Sequence, residues 1–480
     1  MTTPARPGSI RRIHLIGICG TGMGSLAGLL SEAGYEVRGS DAAVYPPMST
    51  MLREKGISVL DGFRAEHLDE RPDLVVVGNI ASRTNPEAVA AADRGIPYLS
   101  MPQTIGRLFL QNRHPIVVAG THGKTSTAAL ISWVLASAGG DPSFLVGGIL
   151  RNFNRSYGLG QGREFVIEGD EYETAFFDKG PKFLHYLPQT AILTSIEFDH
   201  AEMFADLEAV RRAFRSFVDL IPNDGFLAYC ADAPNVAGVV EQARCRLAPY
   251  GLGEGAVWRA TLRSTGAQGM EFEVTRAGRP YGLFRSPLTG NQNLANAMGV
   301  IAVADSRGLS PAAIREAFVT FEGVKRRQEI RGVAGGVTVI DDFAHHPTAV
   351  RLTIEGTKAH HPGRRVIAVF EPRTNTTRRN IFQDDYANSF DAADKVIVAA
   401  VDHPERAPEG QRLSVERLVQ DLQSRGVDAL HIPDVPGIVA HLVRSVRPGD
   451  AVLIMSNGAF GGIHDRLLED LAEQTSASTA

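Results

Sequence analysis

Cysteine is scarce in this chain. Three residues in 480, Cys19, Cys230 and Cys245, stand far apart, odd in number and without the short spacings that bind a metal. A disulfide framework is thereby excluded, and buried free thiols in a reducing compartment are expected. Long apolar runs are also missing: none approaches the ~20 consecutive residues of a membrane-spanning helix. The basic opening MTTPARPGSIRR leads into a strand interrupted by glycines, not into the apolar core of a secretory signal, so the cytoplasm is the expected location. Positive charge is in deficit, with 49 lysines and arginines against 54 acids and a net charge of -5. No electrostatic footprint for nucleic acid or a membrane surface remains. Short-period repeats and low-complexity segments are absent as well. With 44% apolar and 21% charged residues, the composition is that of an ordinary soluble globular protein.

At 480 residues the chain exceeds a single core, since cores stop growing near ~250–300 residues, and three domains are expected. Short β-rich runs recur with helical stretches between them: IHLIGI, LVVVG, PIVVAG, FVIEGD, AILTSI, VTVIDDF, VIAVF, VIVAAV and AVLIMS. That alternation predicts an α/β fold of mostly parallel sheets covered by helices. The blocks fall at residues 1–108, 109–323 and 324–480. The closing AEQTSASTA, small and polar, is expected to fray.

The stretch VVAGTHGKTST carries the strongest chemistry. Backbone N–H groups of a glycine turn at a helix start point at an anion, a lysine adds a point charge for terminal phosphates, and a hydroxyl can ligate magnesium. Gly120, Thr121, His122, Gly123, Lys124, Thr125 and Ser126 supply all three, in a form shorter than the general phosphate-loop pattern. Magnesium needs hard oxygen ligands. Two strand ends offer them: Glu168 and Asp170 in FVIEGDEYE, and Glu197, Asp199 and His200 in LTSIEFDHAEMF. A second glycine turn, Gly17, Gly20, Gly22 and Gly24, with Asp41 ending the next strand, looks superficially like a dinucleotide fingerprint, although its spacing is GxxGxG. Alone it would suggest an NAD-dependent oxidoreductase.

The motifs GICGTGMGSLA, GTHGKT, IEGDE, IEFDH, GNQNLANA, RRQE, DDFAHHPT and MSNG, in that order, resemble the muramyl ligases, the ATP-dependent amide-forming enzymes of peptidoglycan assembly. The resemblance implies a Rossmann-like N-terminal domain for a UDP-sugar, a central ATPase domain and a Rossmann-like C-terminal domain that brings the amine. It places the UDP-sugar diphosphate at Gly17, Gly20, Thr21, Gly22, Met23, Ser40 and Asp41. Lys124, Glu168, His200, Arg327 and His345 become catalytic candidates, with Thr125, Glu168 and His200 holding magnesium. Asn293 and Asn296, i and i+3 on one helical face, are placed to read adenine. Arg326 or Arg327 would reach the γ-phosphate, and Asp342 a ribose or a metal-bound water. His345 and His346 suggest zinc, but no third nitrogen or sulfur ligand lies at useful spacing, so phosphate or ribose contact is favoured.

The wording GSDAAVYPPMST, GDEYETAFFDKGPKF, FEPRTNTTRR and MSNGAFGGIHDRLL further resembles the family member that attaches the recycled tripeptide L-alanyl-γ-D-glutamyl-meso-diaminopimelate to UDP-N-acetylmuramate. The member that adds alanine is the alternative. Arg373, Asn375 and Asn457 are then expected at the tripeptide's far end, unless Arg373 only pairs with Glu371. Departures from the family are Gln292 in place of histidine, Glu173, Gly180-Pro181, and Arg215 where several members carry a carbamylated lysine. Small-molecule substrates are the expected partners, with no nucleic acid and no membrane.

Overall fold

The computed structural model describes residues 10–44 and 48–479. Met1–Ser9 of the basic opening and Tyr45–Pro47 of GSDAAVYPPMST lie outside the described residues. Three large sheets follow one another along the chain. The first is wholly parallel, with strands ordered Ser58–Asp61, Glu36–Asp41, Arg12–Ile16, Leu74–Val77 and Tyr98–Ser100. The second has ten strands, and its centre is the parallel set Thr190–Leu193, His114–Ala119, Glu164–Gly169 and Ser143–Leu150. The third has six, Glu329–Ala334, Val337–Asp342, Ala451–Met455, Val366–Phe370, Lys395–Val398 and Ala429–His431, parallel except for its first edge strand.

Continuous apolar runs make these central strands, because helices cover both faces and no position turns to water. Ile116, Val117, Val118 and Ala119 are all 0% exposed, and full burial of a valine or isoleucine stabilises by about 1.5–3 kcal/mol. The antiparallel strands Trp258–Gly266, Gly269–Arg276 and Arg279–Ser286 extend one edge of the second sheet. Their alternation of buried and exposed residues differs from the continuous runs that mark parallel strands.

Two contacts seat the first sheet on the second. The Ser25 hydroxyl meets that of Ser156 at 2.7 Å, and Arg155 pairs with Glu32 at 2.9 Å. Gly28 faces the Tyr157 ring so closely that a Cβ would fall 2.1 Å from it, so glycine is required there. At the other end, where fraying was expected, the helix Ile463–Thr479 runs through AEQTSAST, and Ala480 lies outside the described residues. Thr475 and Ser476 return their hydroxyls to the carbonyls of Leu471 and Ala472, an alternative partner for small polar residues on a helix. Among the described residues no helix is long and apolar enough to cross a membrane.

Candidate active site

The strand His114–Ala119 ends in a turn that only glycine can make. Gly120 has φ +134° and a Cβ there would lie 2.1 Å from the Thr194 hydroxyl; Gly123, at φ +81°, opens the helix Lys124–Ser137. The next strand end pins the turn. Thr121 N–H donates to Ser195 O, His122 N–H to Ser195 Oγ, and Thr194 Oγ1 to His122 O. Lys124 Nζ donates to Gly120 O at 2.6 Å and pairs with Glu171 at 2.8 Å. Burial opposes its charge, but Glu171, Asp170 and Glu168 outweigh it and hold the ammonium above the ordinary lysine range.

Glu168 ends the strand Glu164–Gly169. Its Oε2 accepts the Thr125 hydroxyl at 3.1 Å and its Oε1 accepts Gly147 N–H. Burial, then the charge of Asp170, pushes its carboxyl up, whereas Asp170, on which burial acts the same way, is held down by Lys182 and Lys124. Two nearby acids thus keep different proton affinities. Thr125 and Glu168 are hard oxygen donors at a phosphate loop, a set that fits magnesium. His200 sits at φ +53° against the Tyr172 ring, 3.9 Å from Glu171 and 3.5 Å from Glu202. Burial works against its proton, but Glu202, Asp199 and Glu171 raise its pKa. Asp199 is buried, and His200, His345 and His346 still draw it down to about 2.

The third sheet closes this cleft. Arg327 Nη2 donates to Thr125 Oγ1 at 3.1 Å, while Arg326 turns away to the carbonyls of Ser456 and Gly458. Of the two arginines, Arg327 lines the cleft and Arg326 does not. His345, Arg373, Asn375 and Asn457 line the same cleft of about 710 Å³, together with residues 121–126, Glu168 and His200. Arg373 is 3.9 Å from Glu371 and 3.7 Å from Asp402, loosely held between them. Asn375 accepts from Arg378, and Asn457 Oδ1 is buried without a partner among the described residues. A neighbouring pocket of about 110 Å³ is lined by Gly123, Ser126, Gln292, Asn293, Arg327 and Asp342. Asp342 accepts the N–H groups of Gln328 and Ala344 at 2.7 Å.

On the opposite side, Gly17, Gly20, Thr21, Gly22, Met23 and Asp41 line a cleft of about 370 Å³ whose far wall is Gly147, Glu168, Asp170, Tyr172 and Lys182. Gly147, Glu168, Asp170 and Tyr172 face both this cleft and the larger one.

Comparison with known proteins gives this geometry a family. Residues 12–113 match the Mur ligase family catalytic domain, 118–304 the Mur ligase middle domain, and 326–458 the Mur ligase glutamate ligase domain. A UDP-N-acetylmuramate–L-alanyl-gamma-D-glutamyl-meso-2,6-diaminoheptandioate ligase of Escherichia coli (strain K12) is 42% identical over 468 residues, 97% of this chain and 100% of that protein. The chain belongs to the Mur ligase family. A UDP-N-acetylmuramate–L-alanine ligase of Caldanaerobacter subterraneus subsp. tengcongensis is 33% identical, covering 96% of this chain and 98% of its own. A solved murein peptide ligase from Psychrobacter arcticus 273-4 superposes with a TM-score of 0.72 at 36% identity, covering 96% of this chain and 99% of its own.

Within this Mur ligase, some expected site residues face elsewhere. Ser40 is fully buried and donates its hydroxyl to Glu87, which also takes His14 and His67; the polar groups at that strand end serve an internal network. Asn296 does not share the pocket with Asn293. It lies beneath Gly123, where a Cβ would be 2.4 Å from its Nδ2, and so it supports the phosphate turn. His346 lines the large cleft, but its ring nitrogens are engaged elsewhere: it caps the helix Pro347–His360 through Nδ1 and donates from Nε2 to Phe198 O. A third ligand-type group does reach it, because the fold brings His122 and Glu197 to within 4.8 Å of it from distant segments. Arg215 pairs with Glu208 on the helix Leu207–Asp219 and does not line the cleft. Glu171 and Lys182 were missed. Glu171 stands beside Asp170 in the sequence and Lys182 reaches it only in the fold, and nothing in their spacing tells a buried counter-charge from a surface one.

Proposed function

We propose that this Mur ligase joins UDP-N-acetylmuramate to L-alanyl-γ-D-glutamyl-meso-diaminopimelate, releasing ADP and phosphate through an acyl phosphate. The observation that carries the reading is the shared wall of Gly147, Glu168, Asp170 and Tyr172. A nucleotide seated at residues 121–126 and a sugar nucleotide seated at Gly17–Met23 would meet there, each with its reacting end inward. Domain roles follow: 1–108 for the UDP-sugar, 109–323 for ATP and 324–480 for the amine, in the cytoplasm.

A carboxylate resists attack by an amine because oxide is a poor leaving group; phosphorylation supplies a better one. Lys124 and Arg327 bracket Thr125 from two domains and would hold the transferring phosphoryl group, a step in which positioning and charge do most of the catalysis. Magnesium, held by Thr125, Glu168 and His200, would supply charge neutralisation on the phosphates. Asn293 and Gln292 would contact the base, and Asp342 the ribose. The peptide's free α-amine has a pKa near ~8, so His345, whose pKa burial lowers, needs to take little more than the proton released on attack. Arg373, Asn375 and Asn457, after the strands Val366–Phe370 and Ala451–Met455, would hold the peptide's far end.

The test mixes protein, ATP, magnesium and UDP-N-acetylmuramate with tripeptide or with alanine and identifies products by mass. The tripeptide adduct is expected, with ADP release dependent on the acid substrate. A product made from alanine in preference would assign the chain to the alanine-adding reaction. ADP release that ignores the acid would remove the ligase reading.

A further inference from the structure

The cleft beside Gly17 has an electrostatic gap. Its carboxylates are Asp41, Glu168 and Asp170, yet the substrate proposed for it is itself an acid. Among the described residues that line it, Lys182 is the one cation. This side chain begins a short helical turn, Lys182–His185, and is 12% exposed. Its Nζ pairs with Asp170 Oδ2 at 3.1 Å and sits 3.9 Å from the centre of the Tyr172 ring. Asp170 and Tyr172 both belong to the wall shared by the two clefts. An ammonium carries three donors, and the bond to Asp170 uses one.

We infer that Lys182 binds the carboxylate that is to be phosphorylated and holds it at the shared wall. The inference rests on the function proposed above. The incoming carboxylate would take a second donor of Lys182, whose charge offsets Glu168 and Asp170. In the step it serves, a carboxylate oxygen lone pair forms the new O–P bond to the γ-phosphorus. The bond from that phosphorus to the β–γ bridging oxygen breaks, and its electron pair leaves with ADP. No proton moves in this step. Tyr172 and Asp170 fix its direction, one by its ring face and the other by its charge.

Calorimetric binding separates this role from a structural one. The probes are UDP-N-acetylmuramate and UDP-N-acetylglucosamine, which share the UDP and the sugar ring, but only the first bears the lactyl carboxylate. Lys182→Gln keeps a donor for Asp170 and is expected to weaken UDP-N-acetylmuramate tenfold or more. UDP-N-acetylglucosamine binding and the KM for ATP should stay within twofold, and Lys182→Arg should recover part of the loss. Thermal melting shows whether each variant is folded; if Lys182→Gln melts early, the comparison is made with Lys182→Arg, which must still discriminate the two ligands differently from wild type. Equal weakening of both ligands, or unchanged affinity for the acid, overturns the inference. If wild-type protein forms no amide product, the proposed function fails first and this role falls with it.

Discussion

Lys124 is anchored by its own counter-charge, and that changes what its removal does. With a side chain 12% exposed and bonded to a Glu171 side chain 3% exposed, it is half of a buried ion pair. Deleting one partner of such a pair leaves the other uncompensated, at about 3–5 kcal/mol. Lys124→Ala is therefore expected to lower the melting temperature as well as to abolish turnover. Lys124→Ala with Glu171→Gln should recover most of the melting temperature and none of the activity. Retention of more than a tenth of wild-type turnover in either variant would mean less than ~1.4 kcal/mol of transition-state stabilisation and would remove Lys124 from the chemistry. For Glu168→Gln, a raised magnesium requirement, partly met by excess magnesium, is expected in ligase assays; an unchanged requirement would place the metal in other loops. At this scale the sequence was legible where backbone chemistry is encoded locally, as in Gly120, Gly123 and Lys124. Glu171 was not, because the run EGDEYE offers four acids and only folding decides which one pairs with Lys124.

Among elements, the helix Pro347–His360 ties two domains together at its N-terminus. His346 caps it and reaches Phe198 O, and Thr348 donates its hydroxyl to Glu197 at 2.6 Å. Burial, reinforced by His122, lowers the pKa of His346 from 6.5 to about 4. Across that window the unfolded chain protonates this imidazole and the folded one does not, so the unfolded state binds more protons. Stability consequently rises from pH 4 to 6.5 and falls on acidification. His114 and His361, both drawn to about 4 mainly by burial, act in the same direction. His346→Asn keeps a good cap without a titrating ring, so the slope of melting temperature against pH between 4 and 6.5 should flatten but persist. An unaltered slope would show that His346 titrates alike in both states. The parallel strands were readable as apolar runs, each bounded by turns. The antiparallel trio at Trp258–Ser286 was not, since half-exposed strands such as Arg279–Ser286 carry only scattered apolar residues. The helix in the tail was not legible for a related reason: small polar residues favour turns locally, but helix Ile463–Thr479 starts from a buried segment, Ile463 and Leu467, that carries it onward.

In the whole molecule, the reacting groups come from three sheets, so specificity depends on what the last one adds to a cleft the other two have shaped. Accepting a tripeptide with several carboxylates requires cationic donors beyond those that alanine needs, and a planar guanidinium fixes a carboxylate through paired bonds. Arg373 is the donor proposed to meet that requirement. It follows the strand Val366–Phe370, lines the large cleft, and lies over Gly458, where a Cβ would be 2.5 Å from its guanidinium carbon. Its partners Glu371 and Asp402 are too distant for tight hydrogen bonds, at 3.9 and 3.7 Å, and Asp402 is already bonded to Arg378 at 3.1 Å. A substrate carboxylate would thus compete with two weak contacts, not with a closed ion pair. Losing one charge-assisted bond costs ~1.5–3 kcal/mol, so Arg373→Ala should raise the KM for tripeptide by tenfold or more. The KM for UDP-N-acetylmuramate should barely change, because the cleft proposed for that substrate is lined by the first two sheets. Steady-state kinetics with each substrate varied in turn measures both values. An equal rise in both would mean that Arg373 holds the domains together, and no rise in either would leave it as a local partner of Glu371 and Asp402.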